Sequence, residues 1–313
     1  MWDRKDLLSI DQLGRKDIDS ILKYAEVLEP YSNRGNMLDM CNGEVLARVA
    51  FEPSTRTFRS FGFVIYKLGG WSDSIYTPRD SSMEKGESKE DTLRTLEQYS
   101  NIVLIRDAEV GSVARYADLL DIPVINGGDG SGEHPTQALL DMRTIEKEIG
   151  RKDGLKVVFM GDLGNGRTVH SLIKALRKYD NNFFYGFSPE GLEMPGELEG
   201  SDYQPLSMDN IYDVVPDAIY MTRIQRERLK SEELREKFLA EQEFYKVNRD
   251  KMSRLPQKTK VMHPLPCVGE ISPDVYNDPR VIPFVQVRHG LETRMAILAL
   301  MLGHEDELEQ MCK

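Results

Sequence analysis

Phe51-Glu52-Pro53-Ser54-Thr55-Arg56-Thr57-Phe58 joins two segments of different hydrophobic period. Before it, Val45 to Phe51 is short, apolar and β-branched, as a buried strand is. After it, Phe58, Phe61, Phe63, Ile65 and Leu68 continue as a helix that stops at Gly69-Gly70. The stretch is therefore a strand-to-helix turn, where unpaired backbone N–H groups meet the positive end of a helix dipole. Ser54, Thr55 and Thr57 add hydroxyls, Arg56 adds a guanidinium, and no acidic group follows Glu52. Any one of these residues fits an ordinary helix cap. Together around a central Arg they exceed what capping needs, and the turn reads as a phosphate cradle.

Composition sets the bounds around this turn. A chain of 313 residues with 40% apolar content suggests two domains with sizeable cores. The net charge of −11 argues against nucleic acid or an anionic membrane as partner, so an anionic ligand needs a local basic cluster. The three cysteines, Cys41, Cys267 and Cys312, have neither paired nor metal-like spacing. They suit a reducing cytoplasm and imply no disulfide framework, no metal site and no cofactor. The charged start, Met1-Trp2-Asp3-Arg4-Lys5-Asp6, lacks an apolar leader, and no run approaches a membrane span, so a soluble, untargeted, cytoplasmic protein is expected.

Toward the N-terminus, Ile18, Ile21, Leu22, Ala25 and Leu28 form a helical stripe that Pro30 should stop. Downstream, Tyr76 to Ser88 is a polar loop without apolar period, either a solvated excursion or a functional loop. Asp91 to Tyr99 reads as a helix, and Asn101 to Ile105 as a strand that delivers Arg106 at its carboxyl end, the edge where ligands of open α/β sheets gather. A helix over Val113 to Leu120, a strand over Ile122 to Asn126 and a Gly-rich turn follow. His134-Pro135-Thr136-Gln137 then opens a helix carrying Leu139, Leu140, Met142 and Ile145. His134 there is a cap or packing residue, or it faces the phosphate cradle.

Arg151-Lys152-Asp153-Gly154 is a polar break taken as the domain boundary, after which the alternation restarts. Leu155 to Met160 is a strand, Gly161 to Gly166 a Gly-rich turn, and Arg167 a helix start. The glycines superficially suggest a dinucleotide turn, but no acidic residue ends a clear next strand. An Arg at that mouth suits a carboxylate, which its planar fork binds with two bonds. Asn182 to Phe187 and Ala218 to Met221 read as further strands, the latter leading into Thr222 to Arg228. As an extended segment this would put Arg223 and Gln225 on one side and Arg226 and Arg228 on the other. Leu229 to Lys251 is charged and helical in composition. In His263-Pro264-Leu265-Pro266 two prolines fix the backbone, leave carbonyls to accept from a ligand and make Leu265–Pro266 a possible cis bond. Arg294 to Leu302 is a helix apolar nearly all round, hence buried.

Ser54-Thr55-Arg56-Thr57, His134-Pro135-Thr136-Gln137, Gly166 to Ser171, Thr222 to Arg228 and His263-Pro264-Leu265-Pro266 resemble, in order, the motifs of the carbamoyltransferases. The chain is more similar to the aspartate-specific catalytic chains than to the ornithine-specific ones, which carry a Cys where Thr136 and Pro264-Leu265 stand here. The fold implied is α/β: two lobes, each with a mostly parallel sheet flanked by helices, and the active site in the cleft between them. Residues 1–150 would bind carbamoyl phosphate, with a C-terminal helix at 291–313 packing back on that lobe, and residues 151–290 would bind aspartate.

The resemblance implies carbamoyl transfer from carbamoyl phosphate to L-aspartate, an early step of pyrimidine synthesis. Ser54, Thr55, Arg56, Thr57 and Arg106 would hold the phosphate, with His134 and Gln137 near the carbamoyl group. Arg167, Arg223 and Gln225 would bind the aspartate carboxylates, and the Leu265 carbonyl would accept from a substrate nitrogen. Ser81 and Lys85 would reach a neighbouring subunit's site, making the unit a homotrimer, which a regulatory chain or a dihydroorotase could join. The chain departs from the family where Asp107-Ala108 replaces His-Pro, where Cys267-Val268-Gly269 replaces Arg-Val-Asp, at Arg288-His289-Gly290, and where Gly164-Asn165 replaces Lys-Tyr.

Overall fold

The computed structural model describes residues 4–33, 35–75, 77, 79, 81–208, 210 and 213–313. The expectations for Met1 to Asp3 and for Tyr76, Pro78 and Asp80 of the polar loop lie outside the described residues. The chain divides into two compact units, Met1–Arg143 with Arg288–Lys313, and Thr144–Val287. No helix among the described residues is long and apolar enough to cross a membrane.

The first unit is built on a parallel sheet of β1 (Val45–Ala50), β2 (Trp71–Ile75), β3 (Ile102–Asp107) and β4 (Val124–Asp129), in the order β2-β1-β3-β4. The two central strands are apolar on both faces because helices cover both, as parallel sheets require. Four of those helices are α1 (Arg15–Ser32), α2 (Arg56–Lys67), α3 (Lys89–Glu97) and α4 (Ser112–Ala117), and α5 (Pro135–Ile149) follows β4. Pro30 does not stop α1, which continues to Ser32. A proline so near the end removes one hydrogen bond from a helix already anchored by Ile18, Ile21, Leu22 and Leu28, all buried. β2 escapes an apolar-run reading because Trp71-Ser72-Asp73-Ser74-Ile75 is a polar edge strand.

Arg48 fixes the first turn of α2. It is buried in β1, donates from Nη1 to the Phe58 carbonyl at 2.7 Å, and lies 5.1 Å from the Phe58 ring centre. Gly62 leaves room for that guanidinium, since a Cβ there would fall 2.6 Å from Arg48 Nη1.

The second unit holds a parallel sheet of β5 (Lys156–Met160), β6 (Phe183–Phe187), β7 (Tyr203–Pro205), β8 (Ala218–Met221) and β9 (Lys260–Met262), in the order β7-β6-β5-β8-β9. Its core gathers Met160, Met221, Val247, Val261 and Ile271. α6 (Arg167–Leu176) follows β5, while α7 (Glu232–Glu241) and α8 (Arg249–Arg254) occupy the charged interval. α9 (Pro283–Met301) and α10 (Glu305–Met311) end the chain. Met295 to Leu300 are almost completely buried, as an all-round apolar helix must be. Within the first unit, buried Arg143 donates to Glu292 of α9 at 2.8 Å and to Glu29 of α1 at 3.3 Å, joining those elements through paired charge.

Candidate active site

In the first unit the site residues stand at the carboxyl ends of neighbouring parallel strands. β1 runs into Ser54 and the first turn of α2, β3 carries Arg106 one residue before its end, and the chain after β4 carries His134. Ala50 and Arg106 are register partners, which brings the phosphate-cradle turn beside the Arg. Thr57 Oγ1 and buried His134 Nε2 lie 3.1 Å apart, so α2 and α5 start side by side. Of the alternatives for His134, the ring faces the turn that carries Thr57. Thr55 occupies the cap position of α2 and makes no side-chain capping bond, while Arg56 begins the helix on its exposed side. The first turn thus presents N–H groups that lack acceptors inside the helix, alongside a hydroxyl and a guanidinium.

Arg106 is already engaged: Nη2 lies 2.9 Å from Glu52 Oε2, and Nη1 donates to the Gly127 carbonyl at 3.3 Å. Gln137 Nε2 donates to Asp141 Oδ1 at 3.0 Å. Buried Arg294 on α9 has its pKa pushed down to about 10, mainly by burial and further by the positive charge of Arg56, with Asp141 opposing. Glu52, Asp141 and Arg294 belong to the electrostatics of this half-site, and the motif reading missed them. Glu52 lies inside the motif itself, Asp141 stands one helical turn after Gln137, and Arg294 is a lone charge opening an apolar helical stretch. In the polar loop, Ser81 caps a short 3-10 turn, Ser82–Lys85, accepting from the Met83 N–H at 3.3 Å, and Lys85 is exposed at its last position.

In the second unit, β5 ends at Met160 and α6 begins with half-buried Arg167, so the Gly-rich turn presents this Arg at a helix start. Buried Asp162 in that turn accepts from Gln225 Nε2 at 3.1 Å, from the Asn165 N–H at 2.9 Å and from Asn165 Nδ2 at 3.0 Å. Burial raises the pKa of Asp162, and the Asn165 and Gln225 bonds only partly offset it. Thr222 to Arg228 is not the extended segment expected from its two-residue period: Arg226–Arg228 forms a 3-10 turn. Arg223 pairs with Glu227 on the exposed surface while Gln225 turns in to Asp162, so the two do not share one side. Glu227 and Asp162 out-compete the strand geometry for these side chains.

Leu265 has φ +56°, a left-handed conformation that non-glycine residues rarely adopt, and its bond to Pro266 is cis. Its N–H donates to His263 Nδ1 at 2.8 Å. Buried Glu270 accepts from the N–H groups of Val268 at 2.6 Å and Ile224 at 3.2 Å, and its Oε2 faces His263 Nε2 at 3.8 Å. One carboxylate thus fastens the Leu265 loop to the Arg223 segment. Burial alone would raise its pKa, but the facing His263 ring and the bond from the Val268 N–H prevail and hold it at about 2.

The first unit therefore offers an anion cradle with an adjacent imidazole, and the second an Arg-rich rim suited to carboxylates. Residues 5–147 match the family model described as aspartate/ornithine carbamoyltransferase, carbamoyl-P binding domain, and residues 153–301 match its Asp/Orn binding domain. The chain belongs to the aspartate/ornithine carbamoyltransferase family. Within this carbamoyltransferase family it is 42% identical over 308 residues to the aspartate carbamoyltransferase catalytic subunit of Thermococcus onnurineus, covering 96% of this chain and 98% of the relative. The catalytic subunit of aspartate transcarbamoylase from Methanocaldococcus jannaschii superposes with a TM-score of 0.87 at 38% identity, covering 97% and 99% of the two chains. The Trypanosoma cruzi aspartate transcarbamoylase in complex with N-(phosphonacetyl)-L-aspartic acid superposes with a TM-score of 0.88 at 34% identity, covering 95% of each chain.

The departures from the carbamoyltransferase pattern are each accommodated locally. Asp107 points to the opposite face of β3 from Arg106 and is matched by Lys89 Nζ at 2.7 Å and the Tyr116 hydroxyl at 2.9 Å. Asn165 braces Asp162, and Arg288 pairs with Asn33. Cys267 Sγ accepts from the Ile271 N–H at 3.3 Å.

Proposed function

We propose that this chain transfers the carbamoyl group of carbamoyl phosphate to the amine of L-aspartate, giving N-carbamoyl-L-aspartate and phosphate in pyrimidine synthesis. The contact between Thr57 and His134, beside Arg106 at the ends of parallel strands, carries the reading. It joins a hydroxyl, an imidazole and a helix start, the kinds of donor that a phosphorylated carbonyl compound calls for, and so supports the reading. Family membership and the substrates named for the relatives support it.

In this reading Ser54, Thr55, Arg56, Thr57 and Arg106 bind the phosphate, and the Leu265 carbonyl accepts from a substrate nitrogen. Arg56, Thr57 and His134 donate to the carbonyl oxygen as it gains charge, and Gln137 lies near the carbamoyl nitrogen. Arg167, Arg223 and Gln225 hold the aspartate carboxylates. The amine nitrogen attacks the carbonyl carbon, the bond from that carbon to the phosphate oxygen breaks, and the departing phosphate takes the amine proton. No side chain has to act as general base, so the rate gain comes from orientation and fixed charge. Ser81 and Lys85 serve a neighbouring protomer's site in a cytoplasmic homotrimer, with a regulatory chain or dihydroorotase as further partners.

The test is phosphate release from carbamoyl phosphate with and without L-aspartate. Release that depends on L-aspartate and yields carbamoyl aspartate is expected. Release that responds only to another amine would transfer the reading to that acceptor.

A further inference from the structure

Cys41, Glu44 and His304 bring a thiol sulfur, a carboxylate oxygen and an imidazole nitrogen within 4.8 Å of one another in the first unit. We propose that these three side chains bind a divalent transition-metal ion, Zn2+ foremost, and so fasten the turn before β1 to the junction of α9 and α10. One sulfur, one imidazole and one carboxylate form a donor set suited to Zn2+ and unsuited to Mg2+ or Ca2+.

The hydrogen bonds around His304 fix its ring with one nitrogen turned toward the site and the other away from it. Its Nδ1 lies 2.9 Å from Glu307 Oε1, so Nδ1–H donates outward to that carboxylate. Nε2 faces Glu44 Oε2 at 3.1 Å and without a metal donates to that carboxylate, so a metal would enter by taking the place of the proton between these two atoms. A carboxylate behind a ligating histidine is the usual outer support of such sites. Nitrogen and oxygen bound to one tetrahedral zinc are about 3.3 Å apart, close to the spacing already present.

Both sides of the site are held by backbone bonds. The Cys41 N–H donates to Leu68 O at 2.7 Å, the Glu44 N–H to Cys41 O at 3.0 Å, and the His304 N–H to Ala299 O at 2.9 Å. Gly43 at φ +83° and Gly303 at φ +88° supply the turns that aim residues 41, 44 and 304 at one point. Glu44 and His304 keep 22% and 17% of their side-chain surface in solvent, which leaves a fourth position for water.

A second triplet of the same donor types, His263, Cys267 and Glu270, lacks this arrangement. There His263 Nδ1 accepts from the Leu265 N–H at 2.8 Å, so a neutral ring carries its proton on Nε2, toward Glu270. The Glu270 carboxylate is also already occupied by two backbone N–H groups. The contrast makes the Cys41 triplet the metal site.

The experiment strips the full-length chain with a chelator and titrates it with Zn2+ by calorimetry and with Co2+ by absorbance. One Zn2+ per chain is expected, together with a thiolate-to-cobalt charge-transfer band. Cys41→Ser should abolish the band, His304→Gln should weaken binding by at least about 100-fold, and Glu307→Gln by about 10- to 100-fold. Cys267→Ser should change nothing. The absence of stoichiometric binding would overturn the proposal, since the triplet would then be a protonated His304 between two carboxylates. Binding indifferent to Cys41→Ser and His304→Gln, or lost in Cys267→Ser, would overturn it equally. Should Cys41→Ser not fold, the cobalt band in a Cys267→Ser, Cys312→Ser double variant decides, because Cys41 is then the only thiol.

Discussion

Glu52 Oε2 lies 2.9 Å from Arg106 Nη2, so the cation at the end of β3 is matched by a carboxylate before any phosphate arrives. An incoming dianion has to displace Glu52, and the cost of parting the pair is subtracted from its affinity. Glu52→Gln should therefore tighten inorganic phosphate binding severalfold in calorimetry. Weakened binding would mean that Glu52 aligns Arg106 for phosphate and does not compete for it.

The contact between Thr57 and His134 makes a second prediction. If the imidazole and hydroxyl act together on the carbonyl oxygen, His134→Ala should lower kcat by about 10^2- to 10^3-fold while KM for carbamoyl phosphate moves little. Steady-state rates over a range of carbamoyl phosphate separate the two parameters. A rise in KM alone would make His134 a ground-state binding residue.

Asp107 is predicted to matter for stability and not for phosphate. Burial would raise its pKa, but the bonds from Lys89 and Tyr116 hold it below the usual carboxylate range. Asp107→Asn should cost about 2 kcal/mol in chemical denaturation, because it leaves Lys89 without its charge partner. KM for carbamoyl phosphate should stay within about twofold. Unchanged stability with altered phosphate affinity would mean that the Asp107 carboxylate acts on the anion site.

Glu270 gives a pH signature. Its folded pKa of about 2 is depressed, so its contribution is fully present above the unfolded carboxylate value and is lost as pH falls from about 4.5 toward 2. Glu270→Gln should destabilise the protein by about 3 kcal/mol near neutral pH, and the gap from wild type should close across that acid window. Denaturant midpoints at several pH values measure it. A gap that stays constant with pH would show that the carboxylate's charge is not what stabilises the loop.

Much of the fold was legible because its central strands are buried on both faces and read as apolar runs, as Val45 to Ala50 and Ile102 to Ile105 do. The edge strands β2 and β7 were not legible, since Trp71 to Ile75 alternates with polar residues and Tyr203 to Pro205 is short. At the candidate site, positions at strand ends and helix starts could be read, as with Thr57, His134 and Arg167. Side-chain partners could not be read. Glu52 on Arg106, Glu227 on Arg223 and Asp162 on Gln225 are local charge and hydrogen-bond choices that no period encodes. The Cys41, Glu44 and His304 triplet escaped because its members lie at opposite ends of the chain and have no motif spacing.

The central claim is that the phosphate cradle of one unit and the Arg-rich rim of the other serve a single reaction. Calorimetric titration with N-(phosphonacetyl)-L-aspartic acid tests it most directly, using wild type, Arg56→Ala and Arg167→Ala. The account predicts one ligand per wild-type chain and a loss of at least about 100-fold in affinity in each variant, since removing either charged anchor costs several kcal/mol. Tight binding that survives either substitution would contradict it.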